Sequence, residues 1–320
     1  MADDSVRISF VIPHKGREEL LQRTLQSIAA QDYDHGCIEV FVATQNTYLA
    51  EGTLPRSDRL KVTILYRPES DTISRLRNAG VEHSNGEYVA FLDADVDIAP
   101  NWTKCMLAEL AADPRRVLVS AVQRCDENAP AIEKIRTALS SAAPDTTVRF
   151  LPGANLFMRR TTFEAAGGFP EELVTCEDYF FTDRVHQLGQ LYFTSRSGFI
   201  HLGEDKSFEQ MFKKEIWRGQ SNLQSIRGRS VPLSELPSLL VPVWIAFFAL
   251  SALLSLLMLH FGNMVLMLIL SLLPVFLYSF RLQRVARGVV PFSQILKFYL
   301  IYFPARVIGI FKGLIKSIQR

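Results

Sequence analysis

Between Leu236 and Phe280 the chain carries no charged side chain, and nearly all of these 45 residues are apolar. A bilayer-crossing helix needs about 20 apolar residues, whereas soluble helices average about 11–12. The run is too long for one buried soluble helix and fits two membrane helices, over about residues 238–259 and 264–280, joined by a turn at His260-Phe261-Gly262-Asn263. Lys213, Lys214, Arg218, Arg227 and Arg229 precede it, Arg281, Arg284 and Arg287 follow it, and the turn has no Lys or Arg. The positive-inside rule places both flanks in the cytosol.

The last segment has a different pattern. On a helical wheel of residues 303–320, Phe303, Val307, Ile308, Ile310, Phe311, Leu314, Ile315 and Ile318 share one half. Arg306, Lys312, Lys316, Gln319 and Arg320 occupy the other. This predicts a basic amphipathic helix in the headgroup layer, with Pro304 near its start. A third span over about residues 292–311 is the alternative. It would bury Lys297 and Arg306, each at roughly 2.5–3.5 kcal/mol at the bilayer centre.

Charge separates the two parts. Residues 1–235 hold 27 Lys+Arg against 33 Asp+Glu, and residues 236–320 hold eight Lys+Arg and no acid. An acidic body with a basic, apolar tail suggests a cytosolic domain tethered to membrane lipid, and the cytoplasmic membrane is the expected location. It argues against a nucleic-acid partner, whose basic contacts would sit on the folded body. The start Met1-Ala2-Asp3-Asp4-Ser5 lacks a signal-peptide core, so the body is expected to stay in the cytosol. Cys37, Cys105, Cys125 and Cys176 are scattered without a C-x-x-C, which suits free thiols and not a disulfide or zinc scaffold.

Residues 1–230 are expected to form the body and 231–320 the membrane domain, with Val231–Pro237 as linker. In the body, apolar runs at 7–12, 39–43, 61–66, 88–92 and 117–123 read as strands, the first stopped by Pro13. Helical spacing connects them at Leu20–Ile28 and Ile73–His83. Asp126–Thr147 reads as a loop or short helix. Thr161-Thr162-Phe163-Glu164 has the form of a capping box for a short helix ended by Gly167-Gly168, and Glu177-Asp178 opens another helix. Strands alternating with helices predict an α/β, mostly parallel sheet covered on both faces, with ligands at the carboxyl ends of the strands.

Tyr88-Val89-Ala90-Phe91-Leu92 delivers Asp93, Asp95 and Asp97 to that edge. Closely spaced carboxylates there suit a hard cation, Mg²⁺ or Mn²⁺, shared with substrate phosphates. A solvated strand-end loop would have the same composition.

The run from Asn78-x-Gly80 through Gly86-Glu87 to Asp93-Ala94-Asp95 resembles the nucleotide-sugar core of family 2 glycosyltransferases, which have the Rossmann-like GT-A fold. Phe10-Val11-Ile12-Pro13, Gly167-Gly168-Phe169-Pro170-Glu171, Glu177-Asp178 and Trp217-Arg218-Gly219 resemble further family segments in order, over about residues 6–222. The tail resembles the subset that builds bacterial surface polysaccharides on lipid carriers. The resemblance implies a membrane-anchored inverting transferase moving a sugar from a nucleotide-diphosphate sugar to a lipid-linked saccharide acceptor. Asp178 would be the general base, or simply a helix N-terminal acid. Asp95 would hold the metal, with His201 as a second ligand or a structural histidine. Pro13, Gln45, Arg75, Arg77 and Asp93 would lie on the donor side, the two arginines being otherwise a solvated helix face. Gly153, Asn155, Glu177 and Trp217 would lie on the acceptor side, Trp217 stacking on sugar or anchoring at the interface. The family's acidic stretch after the second strand is replaced by Ala43-Thr44-Gln45-Asn46-Thr47, so Gln45 or Thr44 would have to bond the base. A polyprenyl-phosphate sugar synthase and a non-catalytic assembly factor with the same fold are the rival functions.

Overall fold

The apolar runs of the first half become strands of one sheet. The computed structural model describes residues 7–55, 60–220, 236–286 and 288–318. β1 (Ile8–His14) passes through α1 (Glu18–Ala29) to β2 (Ile38–Thr44) and β3 (Lys61–Tyr66), and α2 (Ile73–Glu82) returns the chain to β4 (Tyr88–Leu92). β2 and β4 flank β1 in parallel, with β3 parallel outside β2. Parallel neighbours require crossovers lying on the sheet. Gly80 lets α2 lie close, because a Cβ there would come within 2.4 Å of Val11 Cγ1. Pro13 does not stop β1, which runs to His14; the β4 ladder ends at Val11, so Pro13 interrupts no pairing with β4.

The chain continues through β5 (Val96–Ile98), α3 (Trp102–Ala112), β6 (Arg116–Arg124), α4 (Ala131–Ser140), β7 (Thr146–Val148), β8 (Asn155–Arg159), α5 (Arg160–Ala165), α6 (Glu177–Leu188) and β9 (Gln190–His201). The sheet order is β3-β2-β1-β4-β8-β6-β9-β5, with β7 on β9. The sheet is mixed where a mostly parallel one was expected. β8 runs against both β4 and β6, and β5 and β7 run against β9. The chain enters β8 from β7 with no helix between them, so nothing forces it parallel. The alternation of β4 shows why its run is continuously apolar. Ala90 and Leu92 enter one core with Phe10, Leu25 and Trp102, while Val89 and Phe91 enter the opposite core with Phe163, Phe169 and Phe181.

Thr161 does not cap a helix. α5 starts earlier, at Arg160, without a side-chain cap, because Arg160 is tied down by bonds to Gly86 O and Ser84 Oγ, each 2.7 Å. Gly167 and Gly168, at φ 74° and 70°, end it as expected. The stretch 126–147 contains α4 and β7.

Two compact units divide the chain: Met1–Arg124 with Ala143–Gly203, and Cys125–Ala142 with Glu204–Arg320. The division therefore falls at 203, earlier than the expected 230, and α4 goes with the second unit. Ile132 and Ile135 of α4 share a core with the C-terminal helices. Residues 221–235, with Arg227, Arg229 and most of the expected linker, lie outside the described residues, as do Arg287, Gln319 and Arg320.

The second unit contains α7 (Phe208–Gly219), α8 (Leu236–Leu257), α9 (Phe261–Val285) and α10 (Phe292–Ile318). α8, α9 and Phe292–Ile315 are each long and apolar enough to cross a membrane. The hairpin agrees with the uncharged run. The amphipathic helix, expected from residue 303, begins at Phe292 and holds Pro304 in its interior. α10 packs on α7: Lys297 Nζ lies 4.7 Å from the Phe208 ring centroid, and Arg306 Nε lies 2.6 Å from Glu215 Oε2. Arg136 of α4 also pairs with Glu215, and Arg218 lies 2.7 Å from it. Burial alone would raise the Glu215 carboxyl, but Arg306, Arg136 and Arg218 bring it down to about 2.

Candidate active site

The carboxyl ends of β1, β2 and β4 lie side by side, the edge where such sheets bind ligands. Asp93 leaves β4 there. Its Oδ1 accepts a hydrogen bond from Arg77 NH2 at 2.9 Å. Arg77 is 1% exposed and spans the site. Its NH1 donates to Glu177 Oε1 at 2.8 Å, and NH2 also reaches Gly153 O at 3.3 Å. Burial opposes the guanidinium charge, but Asp93 and Glu177 outweigh it. Burial also raises the Asp93 carboxyl, with Arg77 acting against the rise. Arg77, expected on the donor side, is thus a buried link between the carboxylates of Asp93 and Glu177. Arg75, two residues away, is turned about 200° around the helix. It faces Asp71 at 3.7 Å and Glu171 at 3.4 Å and lines a separate cavity with Arg67, Ala79 and Glu82.

The loop before α6 is pinned to α2. Asn78 donates to Phe169 O and accepts from Phe169 N–H at 3.0 and 2.9 Å, which gives the Asn78 and Gly-Gly-Phe motifs a shared structural role. The loop leads to Glu177, buried and held by Arg77, and to Asp178 in the first turn of α6. Asp178 Oδ2 accepts from Gly153 N–H at 3.2 Å and Oδ1 from Tyr179 N–H at 2.9 Å. Burial and the charge of Glu177 push its carboxyl up to about 6, against the pull of Arg77 and these two N–H groups. A Cβ at Gly153 would lie 2.8 Å from Arg77 NH2, so glycine is what fits between the arginine and Asp178. Beside them Phe150 and Tyr179 stack, centroids 3.9 Å apart.

The other acids separate. Asp97 lies on β5, 3.3 Å from Arg23. Asp95 is 7% exposed and meets His201, because the β5–β9 register places Val96 opposite His201. His201 Nε2 is 3.2 Å from Asp95 Oδ1, and Arg17 NH2 is 2.8 Å from Oδ2. Among the described residues no three His, Cys, Asp or Glu side chains form a metal cage. Asp95 and His201 nevertheless fit Mg²⁺ or Mn²⁺, which take few protein ligands and fill their shells with water and substrate phosphate oxygens.

Several expected contacts are structural. Asn155 is fully buried, its Oδ1 accepting from Trp102 Nε1 at 3.1 Å and its amide donating to Ala121 O at 3.3 Å, so it does not line an acceptor surface. Thr44 is fully buried, its hydroxyl 2.8 Å from His14 Nδ1, and burial lowers the His14 pKa. Gln45 uses its amide nitrogen on the carbonyls of Glu69 and Asp71, at 2.7 and 2.8 Å. Pro13 is buried within β1. Trp217 is half-exposed on α7, in the second unit. Sequence reasoning missed Arg17; the signal was a cation just past the first strand, on the same edge as Asp93 and Asp95.

Comparison with known proteins agrees with this architecture. Residues 9–167 match the family model described as Glycosyl transferase family 2. Glycosyltransferase AglE of Haloferax volcanii is 24% identical over 225 residues, 68% of this chain and 73% of its own. Beta-monoglucosyldiacylglycerol synthase of Trichormus variabilis is 24% identical over 196 residues, 56% of this chain and 41% of its own. The chain spans still less, 29%, of the pre-mycofactocin glycosyltransferase of Mycobacterium tuberculosis. The fold is that of the mannosyltransferase PcManGT from Pyrobaculum calidifontis, solved with GDP-Man and Mn²⁺: TM-score 0.61, 17% identity, covering 96% of this chain and 87% of that one.

Proposed function

We propose, from the premise that residues 9–167 form a family 2 glycosyltransferase domain, that this enzyme transfers a sugar from a nucleoside diphosphate to a hydroxyl of a lipid-linked saccharide, with inversion at the anomeric carbon. The observation that carries the mechanism is Asp178, a half-buried carboxylate at a helix start, held by two N–H groups and pushed up to about 6. A base of that strength takes a proton efficiently near neutral pH. The acceptor oxygen attacks the anomeric carbon from the face opposite the leaving diphosphate while its proton passes to Asp178. Arg77 holds Asp93 on the donor side and Glu177 on the acceptor side, so one buried guanidinium sets the spacing of the two halves. A bound Mg²⁺ or Mn²⁺, held by Asp95 and His201, would offset charge growing on the leaving diphosphate. The Phe150–Tyr179 stack beside Asp178 offers an apolar wall to the acceptor.

The membrane assignment rests on the second unit. α8 and α9 cross as a hairpin, and Arg281 and Arg284 keep the end of α9 on the cytosolic side, in the cytoplasmic membrane. α10 lies in the headgroup layer. It is paired with α7, whose Lys213 and Glu209 are exposed, and crossing would draw those charges toward hydrocarbon. The apolar helices and a relative named for synthesis of a glucosyldiacylglycerol support a lipid-borne acceptor. Asp178→Asn in the full-length protein tests the base: transfer should fall by about 10²–10⁴-fold with donor affinity unchanged. Retained transfer would remove the base and favour a lipid phosphate as nucleophile.

A further inference from the structure

The mechanism above leaves Arg17 without a task, yet the residue is unusual. It follows β1 at the ligand-binding edge, and it and Gly16 take successive left-handed conformations, φ 41° and 64°. Its side chain is 58% exposed, while Asp95, its partner at 2.8 Å, is 9% exposed. The contact has room because residue 203 is glycine: a Cβ there would lie 2.0 Å from Asp95 Oδ2 and 2.7 Å from Arg17 NH1. The guanidinium thus sits on Asp95 Oδ2, while His201 Nε2 lies 3.2 Å from Oδ1. Other acids nearby are engaged. Asp97 pairs with Arg23, and Glu18 accepts from Ala50 N–H, Thr53 and Asn46.

We propose that Arg17 is a parked donor-binding residue: without donor it neutralises Asp95, and when a divalent cation and diphosphate take over Asp95 its guanidinium moves onto the donor diphosphate. The proposal rests on the transferase reading. A guanidinium on Asp95 Oδ2 repels a divalent cation brought to the same carboxylate, so the two compete for it. Arg17 can leave because its own side chain is 58% exposed and its charge returns to water while the cation takes its place on the buried carboxylate. Guanidinium groups bond phosphate oxygens in pairs, and the diphosphate is the anion this edge would receive. Arg17 would then stabilise the same leaving group as the metal.

The test is binding, measured on full-length protein in detergent. Mn²⁺ alone is titrated by electron paramagnetic resonance into wild type, Arg17→Ala and Arg17→Lys. UDP and GDP are then titrated at saturating Mn²⁺. Arg17→Ala should bind Mn²⁺ several-fold more tightly, because the guanidinium competing for Asp95 is gone. It should bind the preferred nucleotide roughly tenfold more weakly, the loss of charge-assisted hydrogen bonds. Arg17→Lys, which keeps the charge, should stay near wild type for Mn²⁺. Mn²⁺ binding that is unchanged or weaker in Arg17→Ala overturns the parking, and unchanged nucleotide binding overturns the move to the diphosphate. Both of those leave the transferase intact. Failure of wild type to bind Mn²⁺ or either nucleotide would sink the proposal together with the metal-dependent reading beneath it.

Discussion

Replacing Arg77 by Met should destabilise the sheet unit more than any surface change. The side chain is 1% exposed and bonds Glu177, Asp93 and Gly153 O at 2.8, 2.9 and 3.3 Å. Met fills much of the volume, so the penalty is chiefly that of stranding two carboxylates. Removing one partner of a buried ion pair costs about 3–5 kcal/mol. In a domain of 150–250 residues each kcal/mol shifts the melting temperature by about 2–4 °C, so a loss of about 6–20 °C is expected. The sign of its pH dependence follows from linkage. Burial already raises Asp93 and Arg77 opposes the rise, so the variant's folded-state carboxyl should titrate higher still. A carboxyl whose folded pKa exceeds its unfolded value contributes stability at low pH that is lost as pH rises through the folded value. The deficit should therefore be smaller at pH 5 than at pH 8, measured by scanning calorimetry of full-length protein. A loss under about 2 °C, or an equal loss at both pH values, would refute the view of Arg77 as the buried link.

The rate of transfer should rise with pH through about 6, because Asp178 accepts a proton only when ionised; a flat kcat/KM profile from pH 5 to 8 would contradict the base assignment. Asn155→Ala should cost about 1–3 kcal/mol in stability by leaving the buried Trp102 N–H unpaired, with little change in acceptor KM; a KM effect at unchanged stability would restore it to the acceptor surface. Glu215→Ala should remove the buried carboxylate that Arg136, Arg218 and Arg306 share, leaving Arg136 to Asp205 alone among these acids, and destabilise the second unit by about 3–5 kcal/mol, seen as a lowered melting transition in detergent; an unchanged transition would show that the network holds nothing together.

β1 to β4 and β6, the uncharged hairpin and the Asp-x-Asp and Glu-Asp motifs were legible in the sequence because each is a local pattern, whereas the short or polar β5, β7, β8 and β9 were not. The identity of the buried arginine was not. Arg75 and Arg77 lie about 200° apart on a helix, so the spacing says that only one can face the sheet, but not which. Asn155 is a polar residue that burial and two partners convert into core, which no neighbour in the sequence signals. The Arg17–Asp95 contact joins residues 78 apart, brought together by the pairing of β1 with β4. The start of α10 was hidden by Pro304, which reads as a helix start yet lies inside the helix. β8 carries no directional mark, so its reversal within the sheet had no local signal.

In the proposed reaction a sugar passes from a nucleotide donor to a lipid-linked saccharide with Asp178 as the base. Full-length protein in vesicles of bacterial lipid extract, incubated with radiolabelled UDP-, GDP-, dTDP- and CMP-sugars with and without Mn²⁺, tests it most directly. Mn²⁺-dependent label is expected in the organic-extractable lipid fraction from one donor, abolished in Asp178→Asn although that variant still binds the donor. Label that forms equally with Asp178→Asn, or folded protein that transfers from none of the donors, would contradict it.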